Sequence, residues 1–155
     1  YALTLEHLES AFYRDGLSDL AFGDDTRGQS IDDAFAAIRD HEAEHVTTLT
    51  KVITDLGGTP VEAATYDFGD AFSDPVQFMQ TAMALENTGV SAYDGAAQFL
   101  SDPDLLTAAG SIVAVEARHA SYLNLINAQV PFPDAFETPL SPEDVLKIAK
   151  PFFVS

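Results

Sequence analysis

Apolar residues recur along most of the chain at alternating steps of three and four, the spacing that places side chains on one face of an α-helix. Four long segments follow this pattern, at about residues 2–20, 30–56, 75–100 and 102–129. Each segment is long enough to bury an apolar stripe against a neighbouring helix. The pattern therefore predicts an all-α fold built from four long helices.

The residues at the segment ends support these boundaries. Ser30 and Asp102 are good N-caps, and Pro103 suits the first turn of the fourth helix. Ser141 and Pro142 repeat the same device, which predicts a short helix over residues 141–150.

The connection between the second and third helices carries no helical period. Residues 59–73 contain Tyr66, Phe68 and Phe72, so we expect a crossover that lies on the surface of the helices. Two antiparallel helix pairs joined by a long connection then form a four-helix bundle over residues 1–130. The proline-rich residues 131–155 are predicted to pack on the same domain as a tail.

Two of the predicted helices carry the same pair of polar residues, Glu-x-x-His. The pairs are Glu42 with His45 and Glu116 with His119, and residues three apart share a helix face. The match extends from Ile38, Glu42, Ala43, His45 and Leu49 to Ile112, Glu116, Ala117, His119 and Leu123. Ala2, Leu5, Glu6 and Tyr13 of the first helix likewise match Ala82, Leu85, Glu86 and Tyr93 of the third. The chain is thus two related helix pairs, each with one lone Glu and one Glu-x-x-His.

These polar residues fall within the apolar faces, where unpartnered carboxylates cost several kcal/mol each. Two divalent cations offset the four charges of Glu6, Glu42, Glu86 and Glu116, and neutral His45 and His119 complete the ligand set. Oxygen and imidazole ligands suit iron or manganese. The chain has no cysteine, which excludes a zinc–thiolate site, a disulfide and thiol catalysis.

Glu9, Tyr13 and Tyr93 are further candidates. Glu9 shares the face of Glu6 and matches Gly89 in the repeat, so it is either a fifth, bridging ligand or a residue behind the ligands. Tyr13 and Tyr93 lie one heptad beyond the lone Glu residues. Each hydroxyl either bonds a ligand or supplies an electron, or the residue is a plain core tyrosine.

The composition narrows the class of protein. A length of 155 residues fits one domain, and no apolar run reaches the roughly 20 residues of a membrane helix. The chain has 25 Asp and Glu but only 7 Lys and Arg, which gives a net charge of −18. This charge repels the phosphates of nucleic acids and argues against a nucleic-acid-binding protein. The acids are spread along the chain, which favours a protein adapted to high salt over an ordinary acidic protein or one that binds cations diffusely.

Residues 2–13 (ALTLEHLESAFY), 89–93 (GVSAY) and 115–122 (VEARHASY) give the chain a resemblance that covers all four helices. It resembles the ferritin-like di-iron carboxylate superfamily, and within it the ferritin-like domain of desiccation-related and stress-associated proteins. The resemblance implies a ferritin-like four-helix bundle with two iron ions, held by one Glu from each of two helices and Glu-x-x-His from each of the others.

Open positions on such a centre invite O₂ or peroxide, so we expect redox chemistry in stress protection. The alternatives are a dimanganese, catalase-like scavenger, a non-catalytic iron store and a desiccation-protective structural protein. A storage cage is disfavoured by the proline-rich tail and the aromatic crossover. A homo-oligomer is possible.

The chain begins at Tyr1 inside a helical pattern, which slightly favours export with a processed N-terminus over a cytoplasmic location.

Overall fold

The structure, a computed structural model, describes residues 1–18 and 20–154. Within these residues it contains five α-helices and no β-strand, which confirms the predicted all-α fold with a short C-terminal helix. The helices are α1 (Ala2–Gly16), α2 (Ile31–Asp55), α3 (Pro75–Ala97), α4 (Pro103–Ile126) and α5 (Pro142–Ala149). In the described part of the chain, none of them is long and apolar enough to cross a membrane.

The predicted helix starts are borne out by the capping contacts. The Ser30 hydroxyl accepts a hydrogen bond from the amide of Asp33, and the Asp102 carboxylate accepts from the first amides of α4. The Ser141 hydroxyl does the same for Asp144 at the start of α5. Side-chain caps fix a helix start locally, so these boundaries are readable from sequence.

The predicted helix ends run too far. α1 ends at Gly16 instead of about residue 20, a stretch in which Asp19 lies outside the described residues. A Cβ at Gly16 would lie 2.5 Å from ring carbons of Phe72 and Phe78, so this close packing needs a glycine. α4 ends at Ile126, and Ala128 follows with a φ of 57°. A left-handed residue cannot continue the helix, and Val130 beyond it is exposed.

The described residues form two compact units. The first unit contains Tyr1–Phe78 together with the C-terminal residues from Pro151, and the second contains Met79–Lys150.

In the first unit, α1 and α2 pack as an antiparallel pair. Tyr13, late in α1, has its ring 6.1 Å from that of Phe35, early in α2. Glu6, early in α1, contacts His45, which lies later in α2. The two helices therefore run in opposite directions. Aromatic rings fill the space beside them. The cluster consists of Phe12, Tyr13, Phe22, Phe35, Phe68, Phe72 and Phe78.

The crossover contributes to this aromatic core. Phe68 is buried and its ring lies 5.3 Å from that of Phe12. The amide of Asp67 donates to the carbonyl of Phe152 at 2.9 Å, and the amide of Val154 donates to the carbonyl of Thr65 at 3.0 Å. The crossover is therefore held between α1 and the C-terminal segment of the same unit.

In the second unit, α3 and α4 also pack antiparallel. Asn127, at the end of α4, donates to the carbonyl of Met79 near the start of α3 at 3.0 Å. The part of the tail around Leu140 lies on α3, because the amide of Leu140 donates to the carbonyl of Ser91 at 3.0 Å. A Cβ at Gly95 would lie only 1.8 Å from the Leu140 carbonyl oxygen, so glycine is what permits this approach.

Candidate metal centre

The first unit holds a buried group of two carboxylates and one imidazole, Glu6, Glu42 and His45, here called the first cluster. His45 Nδ1 lies 3.2 Å from Glu6 Oε2 and 3.3 Å from Glu42 Oε2. Each residue offers a ligand atom, and these atoms lie within 4.8 Å of one another. The distances are those of donors that can share one metal ion.

The second unit holds a matching group, Glu86, Glu116 and His119, here called the second cluster. His119 Nδ1 lies 3.1 Å from Glu86 Oε2. The ligand atoms of the three residues again lie within 4.8 Å of one another. In both clusters the same ring nitrogen of histidine faces the lone Glu of the neighbouring helix. The sequence repeat is therefore also a repeat in the geometry of the side chains.

Helix periodicity explains how each cluster forms. Glu42 and His45 are three residues apart on α2, so they lie on the same face, and the antiparallel α1 brings Glu6 onto that face. The four glutamates of the two clusters are 0% exposed, and His45 and His119 are 8% and 6% exposed. Apolar residues one or two turns away, such as Ile38 and Ile112, are buried on the same faces.

The remaining sequence candidates are buried as well. Glu9 is 4% exposed on α1, one turn beyond Glu6, and Tyr13 is fully buried among aromatic rings. Tyr93 is 8% exposed on α3. Burial agrees with a ligand or electron-donor role and equally with a core role, so the functions of all three stay predictions.

The two other histidines differ from those of the clusters. His41 is exposed on α2. His7 is half-buried, and its Nε2 lies 3.1 Å from the carbonyl oxygen of Val61 in the crossover. Neither histidine is part of the two clusters formed by the described residues.

One polar feature of the second unit was missed by sequence reasoning. Asn87 and Asn124 join α3 to α4 through their side-chain amides, 2.9 Å apart. The available signal was an asparagine directly after Glu86 in a helix, because asparagine is a poor helix former and needs a local reason to be there.

The donors of both clusters fit a divalent transition metal. Buried carboxylates need compensating charge, and carboxylate oxygens with imidazole nitrogens suit iron or manganese. The two clusters carry four carboxylates in all, the charge that two divalent ions offset. These buried Glu and His groups are able to bind metal.

Comparison with known proteins agrees with this arrangement. Residues 1–129 match a family model described as a ferritin-like domain, a match that includes both clusters. No protein of curated function matches the chain.

Proposed function

Because the chain belongs to the ferritin-like domain family, we propose that its two clusters together hold two divalent metal ions, with iron as the expected metal. The observation that carries the proposal is the burial of two carboxylates and one imidazole, with ligand atoms within 4.8 Å, in each helix pair. The same residue types at the same spacing in both units support one ion for each cluster.

Charge supports the stoichiometry. Glu6 and Glu42 surround His45 in the first cluster, and a divalent ion there offsets both carboxylates while the imidazole stays neutral. The second cluster has the same balance. A single ion would leave two buried carboxylates without compensation, at a cost of several kcal/mol.

A pair of iron ions supplies redox chemistry toward O₂ or peroxide, and we propose that this chemistry serves stress protection. The chain's own residues bind and orient the metals through the two clusters, and their burial limits the entry of water. Glu9 is proposed as an additional carboxylate ligand. Tyr13 and Tyr93 are proposed as donors of a hydrogen bond or an electron.

The test begins with metal binding. Metal-free protein is titrated with Fe(II) under anaerobic conditions, and we expect about two ions per chain. Air or peroxide is then admitted, and consumption of either beyond that of free Fe(II) supports a redox role. Loss of binding in His45→Ala with His119→Ala, which removes one donor from each cluster, shows that the clusters are responsible.

The alternatives give different results. Sustained release of O₂ from peroxide by manganese-loaded protein would replace the iron proposal with a catalase-like scavenger. Two bound ions without consumption of O₂ or peroxide would leave a structural or storage role, and the mass of the assembly in solution separates a cage from a small oligomer. Binding of no metal would refute the proposal.

A further inference from the structure

Two side-chain amides cross-link α3 and α4 in the second unit. Asn87 Nδ2 donates to Asn124 Oδ1 at 2.9 Å, and Asn124 Nδ2 donates back to Asn87 Oδ1 at 3.4 Å. Asn87 also donates to the carbonyl of Met83 on its own helix at 2.7 Å. Asn124 is buried and Asn87 is half-buried. The Asn87 amide is therefore held by partners on both helices, and the Asn124 amide is oriented by Asn87.

The cross-link lies beside the second cluster in the chain. Asn87 directly follows Glu86 on α3, and Asn124 lies just over one turn beyond His119 on α4. Glu86 and His119 are themselves the pair whose atoms meet across these helices, at 3.1 Å. A sliding or rotation of α3 against α4 would break the amide pair and this contact together.

The sequence repeat keeps the ligands of the first cluster but not this cross-link. The positions that match Asn87 and Asn124 are His7 and Thr50. These residue types cannot form a reciprocal amide pair, and His7 contacts the carbonyl of Val61 in the crossover. The two clusters thus have the same ligands but different support.

We propose that Asn87 and Asn124 are positioning residues that preorganise the second cluster, so that it binds its metal ion first and more tightly than the first cluster does. A site held in its binding geometry loses less conformational freedom when the ligand arrives. This inference rests on the proposed di-metal function and adds an order of filling to it.

The experiment uses Mn(II) as the probe, because free Mn(II) is counted directly by its electron paramagnetic resonance signal. In wild-type protein we expect two binding steps of different affinity. His45→Ala disables the first cluster, and in that background Asn124→Leu should weaken the remaining step by about tenfold or more. In a His119→Ala background, where the first cluster remains, Asn124→Leu should leave the affinity unchanged.

Asn127→Leu is the matched control. Asn127 is a half-buried asparagine at the C-terminal end of α4 that also donates to α3, to the carbonyl of Met79, but it lies farther along the chain from His119 than Asn124 does. Both Asn127→Leu and Asn124→Leu should lower the unfolding temperature, because each removes a hydrogen bond between the helices. Only Asn124→Leu should weaken the binding of Mn(II). If the Asn124→Leu protein does not fold, Asn87→Leu removes the same hydrogen bonds from the α3 side and should weaken Mn(II) binding at the second cluster in the same way.

The outcomes separate the two proposals. If wild-type protein binds neither Mn(II) nor Fe(II), the di-metal function fails. If it binds two ions with equal affinity, or if Asn124→Leu weakens both clusters alike, the di-metal function stands and the positioning role is refuted.

Discussion

At the scale of single residues, His45 and His41 lie one turn apart on α2 in opposite environments. His45 is buried with its Nδ1 within 3.3 Å of two carboxylates, whereas His41 is exposed. His45→Ala should reduce the metal content from about two ions per chain to about one, because it removes a donor. His41→Ala should leave the content unchanged. Metal analysis after equilibrium dialysis measures both, and equal loss from the two variants would contradict the assignment.

Glu42 allows a second prediction, about charge in the metal-free protein. Glu42 and Glu6 are fully buried around one imidazole, so without metal their like charges destabilise the fold. Glu42→Gln keeps the volume and removes one charge, which should raise the free energy of unfolding of the metal-free protein at neutral pH by about 1–2 kcal/mol. The same variant should weaken metal binding.

Glu44→Gln is the control for that prediction. Glu44 lies on the same helix but is exposed, so Glu44→Gln should change the free energy of unfolding by no more than about 0.5 kcal/mol. Urea unfolding of the metal-free proteins gives both values. A Glu42→Gln protein less stable than the metal-free wild type would show that the hydrogen bonds of the Glu42 carboxylate outweigh its repulsion from Glu6.

The burial of particular polar residues was the most predictable part of the candidate site. The steps of three and four that place Ile38 and Ile112 on the apolar faces also include Glu42 and Glu116, so the sequence already indicates that these carboxylates are buried. The Asn87–Asn124 pair was not foreseen, because a hydrogen bond between helices depends on their rotation and offset, which periodicity does not fix. Whether the clustered residues ligate metal stays a prediction.

At the scale of helices and their connections, two glycines allow opposite predictions. A Cβ at Gly95 of α3 meets the Leu140 carbonyl oxygen at 1.8 Å, whereas a Cβ at Gly110 of α4 meets nothing within 4 Å. Gly95→Ala should therefore displace the tail and destabilise the protein by roughly 2 kcal/mol or more. Gly110→Ala should stabilise it by about 0.5–1 kcal/mol, since alanine favours the helix.

Thermal unfolding compares the two glycine variants directly. Opposite shifts in the unfolding temperature are expected, and a loss of the amide protection of Leu140 in hydrogen exchange would locate the damage in Gly95→Ala. If both substitutions stabilise the protein, the tail does not pack on α3 as the structure has it.

Helix starts were predicted better than helix ends. The caps at Ser30 and Asp102 act through neighbouring amides, so a few residues of sequence define them. Gly16, the last residue of α1, packs closely against Phe72 and Phe78, which are far away in the chain. Tertiary contacts of this kind leave no local signal, and the sequence pattern wrongly extended α4 to about residue 129.

At the scale of the whole molecule, charge is the most prominent feature. The net charge is −18 on 155 residues, and several of the few basic side chains pair with an acid next to them in sequence, as Arg14 does with Asp15 and Arg39 with Asp40. Such local pairs, exposed to solvent, contribute little to stability. Repulsion among the many remaining acids is therefore relieved mainly by ions in solution.

The unfolding temperature should rise with ionic strength for this reason. Between about 10 mM and 1 M KCl the screening length falls from about 30 to 3 Å, and we expect a gain of about 5 °C or more in metal-loaded protein. Screening saturates, so most of the gain should come below about 0.5 M. Differential scanning calorimetry measures the curve, and a flat response would refute adaptation to high salt.

The pairing of the crossover with the C-terminal segment has a consequence for the order of events during synthesis. The backbone of Asp67 bonds to Phe152, and the ring of Phe68 lies 5.7 Å from that of Phe152. A ribosome adds roughly 5–20 residues per second, so the crossover waits on the order of ten seconds for this partner to be made. During that interval one side of the aromatic core of the nascent chain is exposed to solvent. A chaperone that recognises exposed aromatic residues can bind the nascent chain at this side.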